Sequence, residues 1–163
     1  MADYKKAENA AVELLKKYTI EEPLVPVFEI AQNEGLTIKM FNPDDQLRNV
    51  AGFLDIKEKT IYVNSQEPAN RQTFTIAHEL GHYILEHEEN KIGVLLRYPE
   101  IRNKNKDPLE QEANCFAAEL LVPRDMLKKV KSEYNLSQKD DIDILARLFG
   151  VSKEVMGYRL KHA

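Results

Sequence analysis

One stretch constrains this chain more than any other: Phe74-Thr75-Ile76-Ala77-His78-Glu79-Leu80-Gly81-His82-Tyr83-Ile84-Leu85, which carries His-Glu-x-x-His inside an apolar pattern with helical spacing. Positions four apart share one face of a helix, so His78 and His82 present two imidazoles to one point. Glu79, one residue on from His78, is turned aside from that point. This suits a base acting on water activated by a metal ion, not a third ligand.

Two histidines and a glutamate also arise at this spacing by chance on a solvated helix. Three features oppose that here. Phe74, Ala77, Gly81 and Ile84 mark a packed stripe. The two histidines border it, where unpaired polar groups are costly. Gly81 lies in mid-helix, where glycine costs about 1 kcal/mol relative to alanine, and makes sense if another backbone must approach closely. Zinc peptidases use this arrangement.

The chain has 163 residues, 43% hydrophobic and 31% charged, enough for one globular domain with a small appendage. A formal net charge of −4 argues against bulk binding to nucleic acid or anionic membrane. Cys115 is the single cysteine, which excludes an internal disulfide. The N-terminal Met1-Ala2-Asp3-Tyr4-Lys5-Lys6 leads into an amphipathic pattern without an apolar signal core. No run of about 18 apolar residues is present to span a membrane. The expected location is a reducing cytoplasm, with no membrane partner.

Taken in order, Ala7, Ala11, Leu14, Leu15 and Tyr18 give a helical stripe over residues 4–18. Pro23 and Pro26 break the chain, and Val27, Ile30 and Ala31 predict a short second helix stopped at Gly35. Residues 36–41 read as a strand. Residues 51–56 and 60–64 follow as two more, joined by Lys57-Glu58-Lys59, short enough for a hairpin. A small antiparallel sheet is therefore expected before the His-Glu helix. Its edge is either a place for an extended substrate to add a strand or a plain structural hairpin. The motif helix is expected to run from Glu67-Pro68 to about Glu88. His87, five residues past His82, falls roughly 140° round such a helix, so it reads as a helix-end or packing histidine. Residues 89–106 form a long connection of a kind that is often functional.

A catalytic zinc needs a third protein ligand and one open position. Residues 107–121 form another strong helix, with Asp107 as N-cap, Pro108 at the first position, and a buried stripe of Leu109, Ala113, Phe116, Ala117 and Leu120. Glu110 is the first choice of ligand, with Asn114 one turn later on the same face; Glu112 and Glu119 compete. Glu110 also stands at the third helical position, where it would complete a capping box with Asp107. Position alone leaves ligand and cap equally open. Cys115 reads as a small core residue.

Two runs carry a family resemblance. Asn70-Arg71-Gln72-Thr73-Phe74-Thr75-Ile76-Ala77-His78-Glu79-Leu80-Gly81-His82-Tyr83 resembles the ImmA/IrrE family of metallopeptidases, and so does Glu110-Gln111-Glu112-Ala113-Asn114-Cys115-Phe116-Ala117-Ala118-Glu119-Leu120-Leu121-Val122-Pro123. The resemblance spans nearly the whole chain. It implies an α+β, zincin-like fold, with metal held by His78, His82 and Glu110 and with Glu79 as catalytic base. Zn2+ is the implied ion, with Mn2+ or another divalent cation as alternatives. The resemblance raises Glu110 above Glu112 and makes Asn114 a partner of the ligands. Family members cleave helix-turn-helix repressors, so the implied function is a cytoplasmic endopeptidase that cuts such a repressor at a limited site and derepresses a mobile element, prophage or stress regulon. Larger relatives add a C-terminal sensing domain, which is not expected at this length.

After Pro123, residues 126–134 predict a short helix, and residues 142–160 a helix, a tight turn at Gly150 and a second helix capped by Ser152. The division expected is a peptidase domain over 1–135 and a helix-turn-helix-like tail over 136–163 packed on it. Lys153, Arg159 and Lys161 are a thin basic set for a phosphate-binding face, so direct DNA binding is not expected. Tyr83, Tyr98 and Tyr158 are the candidate donors to an oxyanion. Two rival readings stand beside the peptidase: a metal-binding regulator that binds a repressor or DNA without cutting, and a toxin–antitoxin component.

Overall fold

The computed structural model describes residues 1–88, 95–96, 107–136 and 141–163. Helix α1 (Tyr4–Lys17) buries Ala7, Ala11, Leu14 and Leu15, the residues whose spacing predicts it. Asp3 caps it, accepting from the Lys6 N–H at 2.9 Å. Helix α2 (Val27–Asn33) buries Val27, Ile30 and Ala31. The chain leaves it through Gly35 at φ 93°, a left-handed conformation that glycine adopts without a Cβ clash.

Three strands follow: β1 (Thr37–Phe41), β2 (Val50–Asp55) and β3 (Thr60–Asn64). A fourth short strand, β4 (Leu95–Leu96), completes the order β1-β3-β2-β4. The hairpin β2–β3 is antiparallel, with Gly52 opposite Val63 and Leu54 opposite Ile61. The sheet as a whole is mixed, because β1 lies on the far side of β3 and pairs with it in parallel. Residues 42–49 carry the chain past β3 instead of turning back beside β1. β4 pairs antiparallel with one end of β2, so both flanks of the hairpin have strand neighbours. The outer strands are β1 and β4.

Helix α3 (Ala69–Ile84) carries the His-Glu motif and packs across β2. Gly52 permits this approach: a Cβ there would stand 2.4 Å from Thr75 Cγ2 and 2.5 Å from the Tyr62 carbonyl oxygen. The helix stops at Leu85, earlier than the expected Glu88. Glu86 turns left-handed at φ 57°, and the His87 N–H folds back to the His82 carbonyl at 3.1 Å. Lys6 Nζ, from α1, donates to the freed Leu85 carbonyl at 3.3 Å.

Helix α4 (Pro108–Leu121) starts where Asp107 accepts from the Leu109 N–H at 2.9 Å, with proline in the first turn. It lies between α1 and α3, with Phe116, Ala117 and Leu120 in the common core beside Leu80, Ile61 and Ile30. A Cβ on Gly81 would meet Phe116 Cδ1 at 2.9 Å and Ala113 Cα at 3.4 Å. The mid-helix glycine and the small Ala113 are therefore what let α3 and α4 cross closely.

Helices α5 (Arg124–Glu133), α6 (Ile142–Phe149) and α7 (Lys153–His162) close the chain. The α6–α7 turn uses Gly150 at φ 66° and Ser152, whose hydroxyl accepts from the Val155 N–H at 3.2 Å. Arg159 of α7 is buried: it pairs with Glu119 of α4, and its Nε donates to the Val122 carbonyl at 3.0 Å. Lys153 pairs with Asp143 at 2.7 Å. Of the three cations weighed for DNA contact, Arg159 is thus an internal strut. The expected boundary at 135/136 adjoins residues 137–140, which lie outside the described residues, as do residues 97–106 and Tyr98 among them.

Candidate metal centre

Helix α3 supplies three residues to the centre, all fully buried: His78, Glu79 and His82. Their spacing works as helical geometry requires. The Nε2 atoms of His78 and His82 stand 3.1 Å apart, one turn separating their backbones. The first turn of α4 brings in Glu110. Its Oε2 lies 3.2 Å from His78 Nε2 and its Oε1 3.2 Å from His82 Nε2. Two imidazole nitrogens and one carboxylate, on two crossing helices, thus bring ligand atoms within 4.8 Å of one another. Ligand atoms bound tetrahedrally to zinc at about 2.1 Å stand roughly 3.4 Å apart, close to the 3.1–3.2 Å contacts among the two imidazoles and the Glu110 carboxylate, so the group fits a divalent ion in donor type and scale.

Glu79 supports the same reading from a different direction. Both its carboxylate oxygens are buried, and neither has a hydrogen-bond partner among the described residues. A buried carboxyl left without partners is costly to the fold. Burial pushes it up to about 8, the Glu110 charge adding to the rise and His82 opposing it. Burial works in the same sense on Glu110, but hydrogen bonds and charge from His78 and His82 overcome it and hold that carboxyl well below the usual range. Two neighbouring carboxyls are thereby driven apart, Glu110 toward the anion and Glu79 toward the protonated acid.

The outer contacts differ between the two histidines. His78 Nδ1 lies 2.9 Å from Asn114 Oδ1, and Asn114 is exposed on a cleft of about 530 Å³. His82 Nδ1 lies 2.7 Å from His87 Nδ1, and His87 Nε2 lies 3.1 Å from Glu112 Oε2. Burial lowers the His87 pKa, with Glu112 pulling the other way. His87 is therefore no ligand, but it sits nowhere near the position given by carrying the helix on to Glu88. The helix ends first, and the left-handed Glu86 returns the ring to His82. A non-glycine residue at that turn leaves little local sequence signal.

The remaining candidates sort by position. Glu112 faces His87. Glu119 pairs with Arg159 and caps α5, its Oε1 accepting from the Arg124 N–H at 3.1 Å. Neither approaches the two imidazoles as Glu110 does. Of the tyrosines, Tyr158 lines the cleft together with Phe74, Arg71 and Asn114, so α7 forms one wall of it. Cys115 packs in the core, where burial raises its thiol to about 11.

Residues 33–161 match the family described as the IrrE N-terminal-like domain. The chain belongs to the ImmA/IrrE family. Membership implies a metallopeptidase role and a divalent metal, and the His78–His82–Glu110 group is a site of the right donors and scale for one. Among curated relatives, the metallopeptidase ImmA of Bacillus subtilis (strain 168) is 35% identical over 100 residues, 61% of this chain and 54% of its own length. The uncharacterized immunity region protein 2 of Bacillus phage phi105 is 30% identical over 142 residues, 84% of this chain and 80% of that one. A solved structure of a Mycobacterium tuberculosis transcriptional regulator superposes with a TM-score of 0.66 at 19% identity, covering 94% of this chain and 46% of that one. At that identity the likeness shows a shared fold. The chain thus spans about half the length of ImmA and of the mycobacterial protein. Among the described residues, no helix is long and apolar enough to cross a membrane.

Proposed function

We propose that this chain is a zinc-dependent endopeptidase that cuts a helix-turn-helix repressor at a limited site. The observation that carries the reading is the buried, partnerless Glu79 carboxylate beside a group of metal-donor atoms. A divalent ion, when bound, supplies Lewis acidity that polarises a peptide carbonyl and acidifies water. His78, His82 and Glu110 would hold it. Glu79 accepts the proton of the attacking water and returns it to the departing amine. Tyr158, on the cleft wall, is a candidate donor to a substrate carbonyl. The substrate class rests on the family and on the phage relative, an immunity region protein by name.

The competing reading is a metal-binding regulator that holds its repressor without cutting it. Co-expression of a candidate helix-turn-helix regulator with the wild-type chain or with Glu79→Gln separates the two. Defined regulator fragments with the wild type alone, mapped by mass spectrometry, are the expected result. An intact regulator that co-purifies with both chains would sink the peptidase and favour the regulator.

A further inference from the structure

We infer that His87 and Glu112 position His82 for metal binding, as a hydrogen-bonded relay that runs from the ligand to the start of α1. The inference rests on the reading of His82 Nε2 as a ligand atom, and it assigns roles to two residues outside the ligand set.

The directions of the hydrogen bonds follow from that one atom. A neutral imidazole that ligates through Nε2 carries its hydrogen on Nδ1. His82 Nδ1 therefore donates, and His87 Nδ1, 2.7 Å away, accepts. His87 then carries its own hydrogen on Nε2, which donates to Glu112 Oε2 at 3.1 Å. The other oxygen of that carboxylate accepts from the Asp3 backbone N–H at 2.8 Å. Each link has one donor and one acceptor, and no atom is asked to do both. His87 and Glu112 are both buried, which removes competing water.

The His78 arm shows what the relay adds. There Nδ1 meets a neutral amide oxygen on an exposed residue, one link from the ligand. The His82 arm passes through a second imidazole and ends on a buried anion. A carboxylate at the far end draws both hydrogens toward itself and leaves His82 Nε2 the stronger electron-pair donor. Glutamine cannot replace Glu112 in this role: an amide offers one oxygen, whereas Glu112 accepts from His87 and Asp3 together. His87→Gln, by contrast, keeps an acceptor for His82 and a donor for Glu112.

The test uses the full chain, stripped of metal. Zn2+ affinity is measured by competition with a chromophoric chelator, and Co2+ binding by visible absorption, for the wild type, His87→Phe, His87→Gln and Glu112→Gln. His87→Phe fills similar space but leaves the His82 N–H without an acceptor, and its Zn2+ affinity should fall roughly 10–100-fold. Glu112→Gln should fall in the same sense, and His87→Gln should recover part of the loss. The unfolding midpoint of the metal-free chains is read alongside. Equal affinity in wild type, His87→Phe and Glu112→Gln overturns the relay while leaving the metal site intact. A loss that His87→Gln does not recover and that follows a lowered metal-free midpoint assigns His87 to packing, and also overturns it. A wild type that binds neither ion removes the metal reading, and the relay with it.

Discussion

Glu110 shows how much one side chain's direction decides. Its position at the start of α4 serves a capping box as readily as a metal. Its two oxygens, each 3.2 Å from an imidazole nitrogen, put it at the centre. Loss of that carboxylate should be read through stability as well as activity. Zn2+ at about 100 times its dissociation constant adds about 2.7 kcal/mol to a chain that binds it only when folded, a rise of roughly 5–11 °C in Tm at this length. Calorimetry should show that rise for the wild type, reversed by chelator, and little of it for Glu110→Ala. An equal rise in both would take Glu110 out of the ligand set. Cys115 gives a second check at this scale. With its thiol pushed to about 11, roughly a thousandth is ionised at pH 8, against about a quarter for a free cysteine. Iodoacetamide labelling at pH 8 should therefore be about 250-fold slower in the native chain than in denaturant, and should accelerate as the pH rises toward 11. Comparable rates in the two states would mean that the core around Cys115 opens.

The α3–α4 crossing is the element that turns a sequence motif into a site. Gly81 was legible as a request for close approach, and the structure supplies the partner: the Phe116 ring, 2.9 Å from where a Cβ would stand. That ring is fully buried, so it has little freedom to give way. Gly81→Ala should cost about 1–3 kcal/mol by overpacking, despite the better helix propensity of alanine. Because the same crossing sets Glu110 against the histidines, Zn2+ affinity should fall with it. Adding Phe116→Leu should restore part of both in denaturant unfolding and metal titration. An unchanged Gly81→Ala would show that the helices are not held at contact distance. The end of α3 teaches the opposite lesson. Apolar periodicity says how long a helix can be, but a single left-handed Glu86 ends it and redirects His87.

At the scale of the whole molecule, a buried ion pair ties α7 to α4. Arg159 reaches Glu119 and the Val122 carbonyl, so the face that carries it is turned inward. Removing one partner strands a charge in the core, which costs about 3–5 kcal/mol. Arg159→Met should therefore lower stability by that amount in urea, whereas Arg159→Met combined with Glu119→Leu should recover part of it. A single variant as stable as the wild type would mean that α7 is held by its apolar contacts alone. The cleft shared by α3, α4 and α7 gives this tie a functional side: Tyr158 and Val155 form its wall only while α7 stays docked.

The sequence by itself determined which side chains α3 brings together. His78, Glu79 and His82 lie within five residues of one helix, where 3.6-residue periodicity fixes who faces whom, and Asp107-Pro108, Gly150 and Ser152 mark element ends by local backbone rules. It also carried the antiparallel hairpin of residues 51–64, since so short a connection leaves few alternatives. The tertiary structure decided what depends on distance through space. It chose Glu110's direction over a cap, set β1 parallel to β3 across a crossover, and separated Glu112 from Glu119 by sending one to His87 and the other to Arg159. Those partners lie 25 and 40 residues away along the chain. No periodicity reaches across such gaps, and the choice between equally good acceptors is made only when the core closes around them.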